Sequence, residues 1–180
     1  MRENNRTMMT DLIIALLPLY AMAFYFYGPR SAALGLCSVA VCYAAEFAGN
    51  FLRGSRRYLD DLSPVGTGLI LPLLLPACVD YSVAAMAGLF AILVVKQPFG
   101  GTGQNLFNPA AGGAAFVSLC FPQRVFRYTA PFTPLPLWGA AEGPFVDSAA
   151  RTIQMGGVPA AAPMDILLGN LPGPMGTTNI

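Results

Sequence analysis

The residue types able to do chemistry in this chain are concentrated in residues 96–122, KQPFGGTGQNLFNPAAGGAAFVSLCFP. Gly100, Gly101 and Gly103 permit positive φ and close backbone approach. Gln104, Asn105 and Asn108 add amide donors and acceptors without charge. In a soluble protein such a run cradles phosphate. Between apolar runs it reads as irregular backbone at membrane depth, which survives only where protein or a polar cavity surrounds it. Two uses fit. One is a re-entrant turn that presents its amides to a ligand or a partner helix. The other is a tight interhelical turn that satisfies its own hydrogen bonds. Glu46 is the second feature, inside an apolar run where an ionised carboxylate is costly. It is either a proton or cation relay group or a group at the membrane edge, a few residues before Arg53.

Composition removes several chemistries. The sequence has no histidine, which excludes imidazole catalysis, histidine-ligated zinc and histidine-held haem. Cys37, Cys42, Cys78 and Cys120 contain no CxxC pair, and the spacing of Cys37 and Cys42 on a helix puts them on different faces. They read as buried, inert thiols, with a cluster completed by another subunit as the alternative. The net charge of +1 and the lack of a basic block give no reason to expect nucleic acid.

The elements that must position these residues are membrane spans. The chain is 55% hydrophobic and 11% charged over 180 residues, with mean hydropathy +0.56, far too apolar for a soluble domain. Apolar runs fall at roughly 11–27, 32–52, 66–79, 82–96 and 108–121. A full span needs ~20 residues. The first two qualify, and the first reads as a retained helix rather than a signal peptide. The third carries Pro72 and Pro76 and is expected to be broken or tilted. The fourth spans if Asp80 and Lys96 mark its ends. The fifth starts at Asn108-Pro109, an N-cap followed by the helix position that tolerates proline. Its Gly112, Gly113, Ala114 and Ala115 form a small-residue face for close packing. With a cytoplasmic N-terminus, Arg2, Arg6, Arg53, Arg56, Arg57 and Lys96 lie inside, and Arg30, Arg124, Arg127 and Arg151 lie outside, as the positive-inside rule favours. Asp60 and Asp61 follow the basic cluster as its surface partners. Residues 122–165 then form an extracytoplasmic loop whose Trp138 suits an interfacial anchor. Residues 166–180 turn apolar again and read as the start of a further span in a shortened chain. The expected fold is an all-α, polytopic helical membrane protein: a transmembrane region over 1–121, the loop, and about five spans plus an incomplete sixth.

Residues 99–110, FGGTGQNLFNPA, resemble the FGG-x-GQN-x-FNPA signature of one family. It is the D subunit of the Rnf electron-transport complex, related to the B subunit of the sodium-pumping NADH:quinone oxidoreductase. Residues 66–76, GTGLILPLLLP, resemble that family's short proline-broken helix. Residues 165–178, DILLGNLPGPMGTT, resemble its DLFLGN…G-x-x-GET segment, with Thr177 in place of the glutamate. Family members continue further, with more helices.

The resemblance implies a membrane subunit of an ion-translocating ferredoxin:NAD oxidoreductase, with quinone as acceptor in the related branch. Such a subunit relays electrons through bound flavin, is coupled to cation transport, and is not catalytic alone. Its implied cofactor is FMN esterified to a threonine of a D-x-x-[S/T]-G-A-T motif by a flavin transferase; riboflavin is the alternative flavin. Here the motif departs from the family's. In Asp147-Ser148-Ala149-Ala150-Arg151-Thr152 the threonine comes one residue early and Arg151 takes the place of the motif alanine. A second alignment puts Ala162 at the threonine, and alanine cannot take an ester. Thr152 leaves a family-like spacing to the LLGN segment, so the resemblance implies it as the attachment site, with Arg151 pairing phosphate oxygens; a solvated loop threonine is the alternative. Gly100, Gly101, Gly103, Gln104, Asn105 and Asn108 are the other expected cofactor contacts, and Glu46 is the candidate for an ion pathway. No metal ligand is expected. The implied partners are the other complex subunits, the bilayer and the flavin transferase, in a bacterial or archaeal cytoplasmic membrane. The alternatives are a small channel or transporter with a re-entrant glycine loop, and a nonfunctional remnant of the family.

Overall fold

A computed structural model describes residues 5–52, 54, 62–100, 105, 107–139, 145–158, 164–165, 169 and 171–177. Arg53, Arg56, Arg57, Asp60, Asp61, Gly101, Gly103, Gln104, Ala162 and Thr178 lie outside the described residues. Helix α1 (Asn5–Tyr27) runs unbroken through Pro18, and Gly28 at φ 71° turns the chain into α2 (Pro29–Leu52). Pro29 begins α2, where its missing N–H costs nothing. Helix α3 (Ser63–Leu73) has only 11 residues and stops just beyond Pro72. Helix α4 (Tyr81–Phe90) starts after Asp80 as N-cap and continues without a break as a π-helical turn, Ala91–Lys96, and a 3₁₀ turn, Gln97–Phe99. Helix α5 (Pro109–Cys120) follows the glycine loop, and a short α6 (Pro122–Val125) ends the helical core. A two-residue antiparallel ribbon, β1 (Tyr128–Thr129) with β2 (Phe145–Val146), leads to α7 (Ala149–Gln154).

Among the described residues, three helices are long and apolar enough to cross a membrane: Arg6–Tyr27, Pro29–Leu52 and Tyr81–Phe99. Two shorter apolar helices, α3 and α5, would be about 16–18 Å long at 1.5 Å per residue. That is roughly half the ~30 Å of a bilayer core, so neither is long enough to cross it; most of α3 is buried, whereas α5 buries one face. α2 is the central helix. It packs on α1, α3 and α4, and α5 packs on α3 and α4. The apolar core consists of Leu34, Leu71, Val83, Ala84, Ala87, Ala91, Ala110 and Val117, with Phe90 and Phe116 stacked at 4.1 Å beside it. Two glycines set the closest approaches. A Cβ at Gly68 would lie 2.6 Å from the Val39 Cα, and one at Gly113 would lie 2.5 Å from the Ala87 carbonyl oxygen. The small-residue face expected on α5 is thus used by Gly113 against α4, where van der Waals packing has to supply the attraction that lipid does not.

Candidate functional site

The helices order the polar residues into two groups at opposite ends of the bundle. A stripe of Ser38, Cys42, Glu46 and Asn50 recurs every fourth residue along α2 toward one end, with Ser38 and Cys42 beside Gly88 of α4 and Glu46 against the π-helical turn; Ser38, Cys42 and Glu46 are buried. The Lys96 Nζ lies 3.1 Å from Glu46 Oε2, with the lysine fully buried and the carboxylate nearly so. The Asn50 amide donates to Glu46 Oε1 at 3.3 Å, and the Gln97 amide donates to the Glu46 carbonyl oxygen at 3.4 Å. Gln97 lies flat on Gly49, where a Cβ would come within 2.6 Å of it. Lys96 therefore does not mark the end of the fourth span, as its place in the apolar run suggests. The helix carries on to Phe99, and the carboxylate of Glu46 makes the buried ammonium tolerable.

The glycine loop leaves from this same end. Gly100 has φ 104°, a left-handed conformation open to glycine at no steric cost. Asn108 caps α5 as the sequence implies, its Oδ1 accepting from the Ala110 N–H at 3.0 Å. Asn105 is half-buried, and its Oδ1 is a buried acceptor without a hydrogen-bond partner. Phe99 and Phe107 meet edge-on at 6.5 Å across the loop.

At the other end the broken end of α3 becomes a hub. Leu73 ends the helix and residues 74–79 run on as turns, and carbonyls of this stretch receive donors from several segments. Leu73 and Leu75 accept from the Gly176 and Met175 N–H groups at 2.8 and 3.1 Å. The two weaker family-like segments, 66–76 and 165–178, are therefore neighbours here. Ala77 and Val79 accept from Arg30 Nε and Nη2 at 3.1 and 3.3 Å, while Gly139 takes both Nη atoms at 3.2 Å and Pro136 takes Nη1. Arg30 is fully buried, over the Tyr81 ring at 5.2 Å. By the positive-inside rule Arg30 is only a flanking charge. The structure instead surrounds its guanidinium with backbone carbonyls, which solvate it in place of water. Cys78 donates to the Arg127 carbonyl oxygen at 3.0 Å, and burial pushes its thiol up from 9.0 to about 11. Cys42 is buried too, but Cys120 is exposed and Cys37 half-buried, so the expectation of uniformly buried thiols fails at α5. Asp80 marks the start of α4 as expected and pairs with Arg124 at 2.7 Å.

Beyond the hub lies a cavity of about 710 Å³. Its walls include Phe126, Tyr128, Ala150, Arg151, Gln154 and Met155. Burial raises the Tyr128 hydroxyl above its ordinary 10.0, so it is protonated at neutral pH. Arg151 reaches Asp147 at 3.5 Å, and both are well exposed. Thr152 is half-buried on α7, its hydroxyl donating to the Ser148 carbonyl oxygen at 3.2 Å; Ser148 caps the helix. The walls supply flat apolar surface, a cation and amide donors, which suit an aromatic ring bearing phosphate. Thr152 adjoins the cavity through Arg151, and its side chain is not part of the lining.

The structure thus brings Arg151 and Thr152 together and leaves Glu46, Gly100, Asn105 and Asn108 toward the other end, with no hydrogen bond between Glu46 and either Asn105 or Asn108 among the described residues. α5, about 18 Å long, lies between the groups. Sequence reasoning missed two residues. Lys96 is the only lysine of the sequence and follows the apolar run ILVV, a signal of intramembrane charge. Arg30 gives no such signal, because a basic residue after Gly28-Pro29 looks like any flanking charge.

Long apolar helices, partial spans and buried ion-paired groups define a polytopic helical membrane protein. A profile of the family described as NQR2, RnfD, RnfE family matches residues 1–180, and the chain belongs to that family. The D subunit of the Na(+)-translocating ferredoxin:NAD(+) oxidoreductase complex of Acetobacterium woodii is 36% identical over 121 residues, 67% of this chain and 38% of that protein. The D subunit of an ion-translocating oxidoreductase complex of Haemophilus influenzae is 32% identical over 126 residues, 69% of this chain and 35% of that protein. That of Halorhodospira halophila is 32% identical over 148 residues, covering 81% and 41%. The chain spans about two fifths of the length of the curated relatives it matches.

Proposed function

We propose that this chain is a membrane subunit of an Rnf-type, ion-translocating ferredoxin:NAD oxidoreductase complex, relaying electrons through bound flavin with coupled cation movement. The observation that carries the reading is the family match over all 180 residues, together with relatives that are D subunits of such complexes. The chain works with the other subunits and has no turnover alone. It sits in a bacterial or archaeal cytoplasmic membrane with its N-terminus in the cytoplasm, so the Arg30 end faces outward. A bound flavin supplies storage of one or two electrons and their passage one at a time.

The residues at the Arg30 end have definite tasks in this reading. Thr152 takes the FMN phosphoester, installed by a flavin transferase, after its hydroxyl turns away from the Ser148 carbonyl. Arg151 exchanges Asp147 for the phosphodiester anion, whose two free oxygens the planar guanidinium can hold in a bidentate pair, whereas its pairing with an exposed carboxylate is weak. Phe126 and Tyr128 hold the ring and keep water from one of its faces. Gly100, Asn105 and Asn108 belong to the opposite end and, with Gly101, Gly103 and Gln104 of the same sequence run, serve a different ligand or a partner helix. Their neutral amides suit riboflavin, which has no phosphate to tether. Glu46 serves the cation pathway.

The test is the intact mass of the chain expressed in membranes with a flavin transferase, beside a Thr152→Val variant. A gain equal to FMN less one water, absent from the variant, supports attachment at Thr152. No gain in the parent chain refutes covalent attachment, and a gain retained by the variant moves it elsewhere.

A further inference from the structure

We propose that Glu46 binds a small monovalent cation and that Lys96 is its tethered competitor, displaced by a one-residue register shift of the π-helical turn 91–96. The inference deepens the cation-pathway part of the proposed function and rests on it. Three observations carry it. First, the one lysine of the sequence is fully buried against a buried carboxylate at 3.1 Å, among helices long and apolar enough to span a membrane. An ammonium there neutralises the carboxylate as a bound cation would, and so keeps the site electrically closed. Second, Glu46 continues the polar stripe of Ser38, Cys42 and Asn50 along α2, and Asn50 already bonds its other oxygen. The stripe gives a small cation polar atoms along an otherwise apolar interface.

Third, Lys96 closes the π-helical turn, and a 3₁₀ turn and the left-handed Gly100 come directly after it. A π-helical turn carries an extra residue relative to an α-helix, and such turns occur most often at functional sites. Converting it to regular α-helix rotates everything beyond it by about 100°, one residue's share of a 3.6-residue turn. That rotation takes the Lys96 ammonium off Glu46. The tight turn and Gly100 behind it absorb the shift, so α5 need not move. The exchange balances in charge, one cation arriving as one ammonium leaves.

The lone lysine makes the test direct. Membranes containing the chain with its native partner subunits are treated with formaldehyde and a borane reductant. Methylation of the peptide carrying Lys96 is followed by mass, in sodium, in potassium, and in the bulky cation N-methylglucamine at equal ionic strength. Displacement predicts slow methylation in N-methylglucamine and a rate about tenfold higher in a saturating small cation, as expected when a ligand shifts a two-state equilibrium. Glu46→Gln should raise the rate and remove its dependence on the cation. A wild-type rate identical in all three media overturns the proposal. So does a Glu46→Gln chain in which Lys96 stays protected and sodium-sensitive. If that variant does not fold, the wild-type titration decides alone. The assay uses no electron donor and no flavin. An FMN mass gain without cation-dependent methylation overturns this inference only, and the converse overturns only the flavin assignment.

Discussion

Replacing Arg30 by methionine removes five N–H donors from a site that backbone carbonyls fill, while keeping much of the side chain's apolar bulk. The carbonyls of Pro136 and Gly139 lie beside the exposed Leu137 and Trp138, so water can take over there. Ala77 and Val79 are each 1% exposed, and their carbonyls have no such recourse. Each buried acceptor left without a donor costs about 1–3 kcal/mol, so the pair sets a loss of about 2–6 kcal/mol. Relief from burying a guanidinium offsets part of this, which places the expected loss in the lower half of that range, about 3 kcal/mol. Arg30→Lys keeps the charge but has three donors on a flexible stem in place of a planar fork. It should lose about half as much. The assay is thermal unfolding of the assembled protein in detergent, with limited proteolysis of residues 130–139 in vesicles as the local readout. Arg30→Met should melt earlier than Arg30→Lys, and both earlier than the parent, with cleavage near Trp138 rising in the same order. An Arg30→Met protein within about 0.5 kcal/mol of the parent, with cleavage unchanged, would refute the claim that Arg30 joins the α3–α4 hub to the 136–139 segment.

Two further perturbations test the packing and the thiols. Gly113→Leu pushes side-chain atoms against the Ala87 carbonyl and should cost about 1–3 kcal/mol in a melting experiment. Gly112→Ala meets the Val95 and Phe107 side chains rather than backbone and should cost less, so equal losses would count against the observed α4–α5 approach. A small maleimide at pH 8 should alkylate the exposed Cys120 and leave Cys78 unmodified until the chain unfolds, as peptide masses will report. Because burial raises the Cys78 pKa from 9.0 to about 11, the unfolded chain gives up that proton first as pH rises. The thiol's contribution to stability is therefore full below pH 9 and falls away toward pH 11, and Cys78→Ala should flatten that part of the pH profile.

Much of the fold was legible because its signals are local. Pro72 and Pro76 announce a broken helix, and α3 stops at Leu73. Asn108-Pro109 announces a helix start, and the cap is formed by the Asn108 side chain itself. Asp80 marks the start of α4 as its extended N-cap residue, its carboxylate pairing with Arg124 rather than capping the helix. The candidate sites were less legible. Glu46 was visible as a carboxylate in an apolar run, but the choice between a relay group and a membrane-edge group depends on what faces it. Thr152 and the glycine loop look like one set of cofactor contacts along the chain, although α5 separates them in space.

The sequence by itself determined a polytopic helical membrane protein, its apolar runs and its family. Hydropathy, proline positions and a twelve-residue signature need no knowledge of distant partners. Only the tertiary structure decided that Lys96 faces Glu46, that Arg30 is solvated by four backbone carbonyls, and that the cavity and the Glu46–Lys96 pair lie at opposite ends. A buried charge is tolerable only where some other segment brings it a counter-charge or a set of dipoles, and which segment does so is a property of the packed helices.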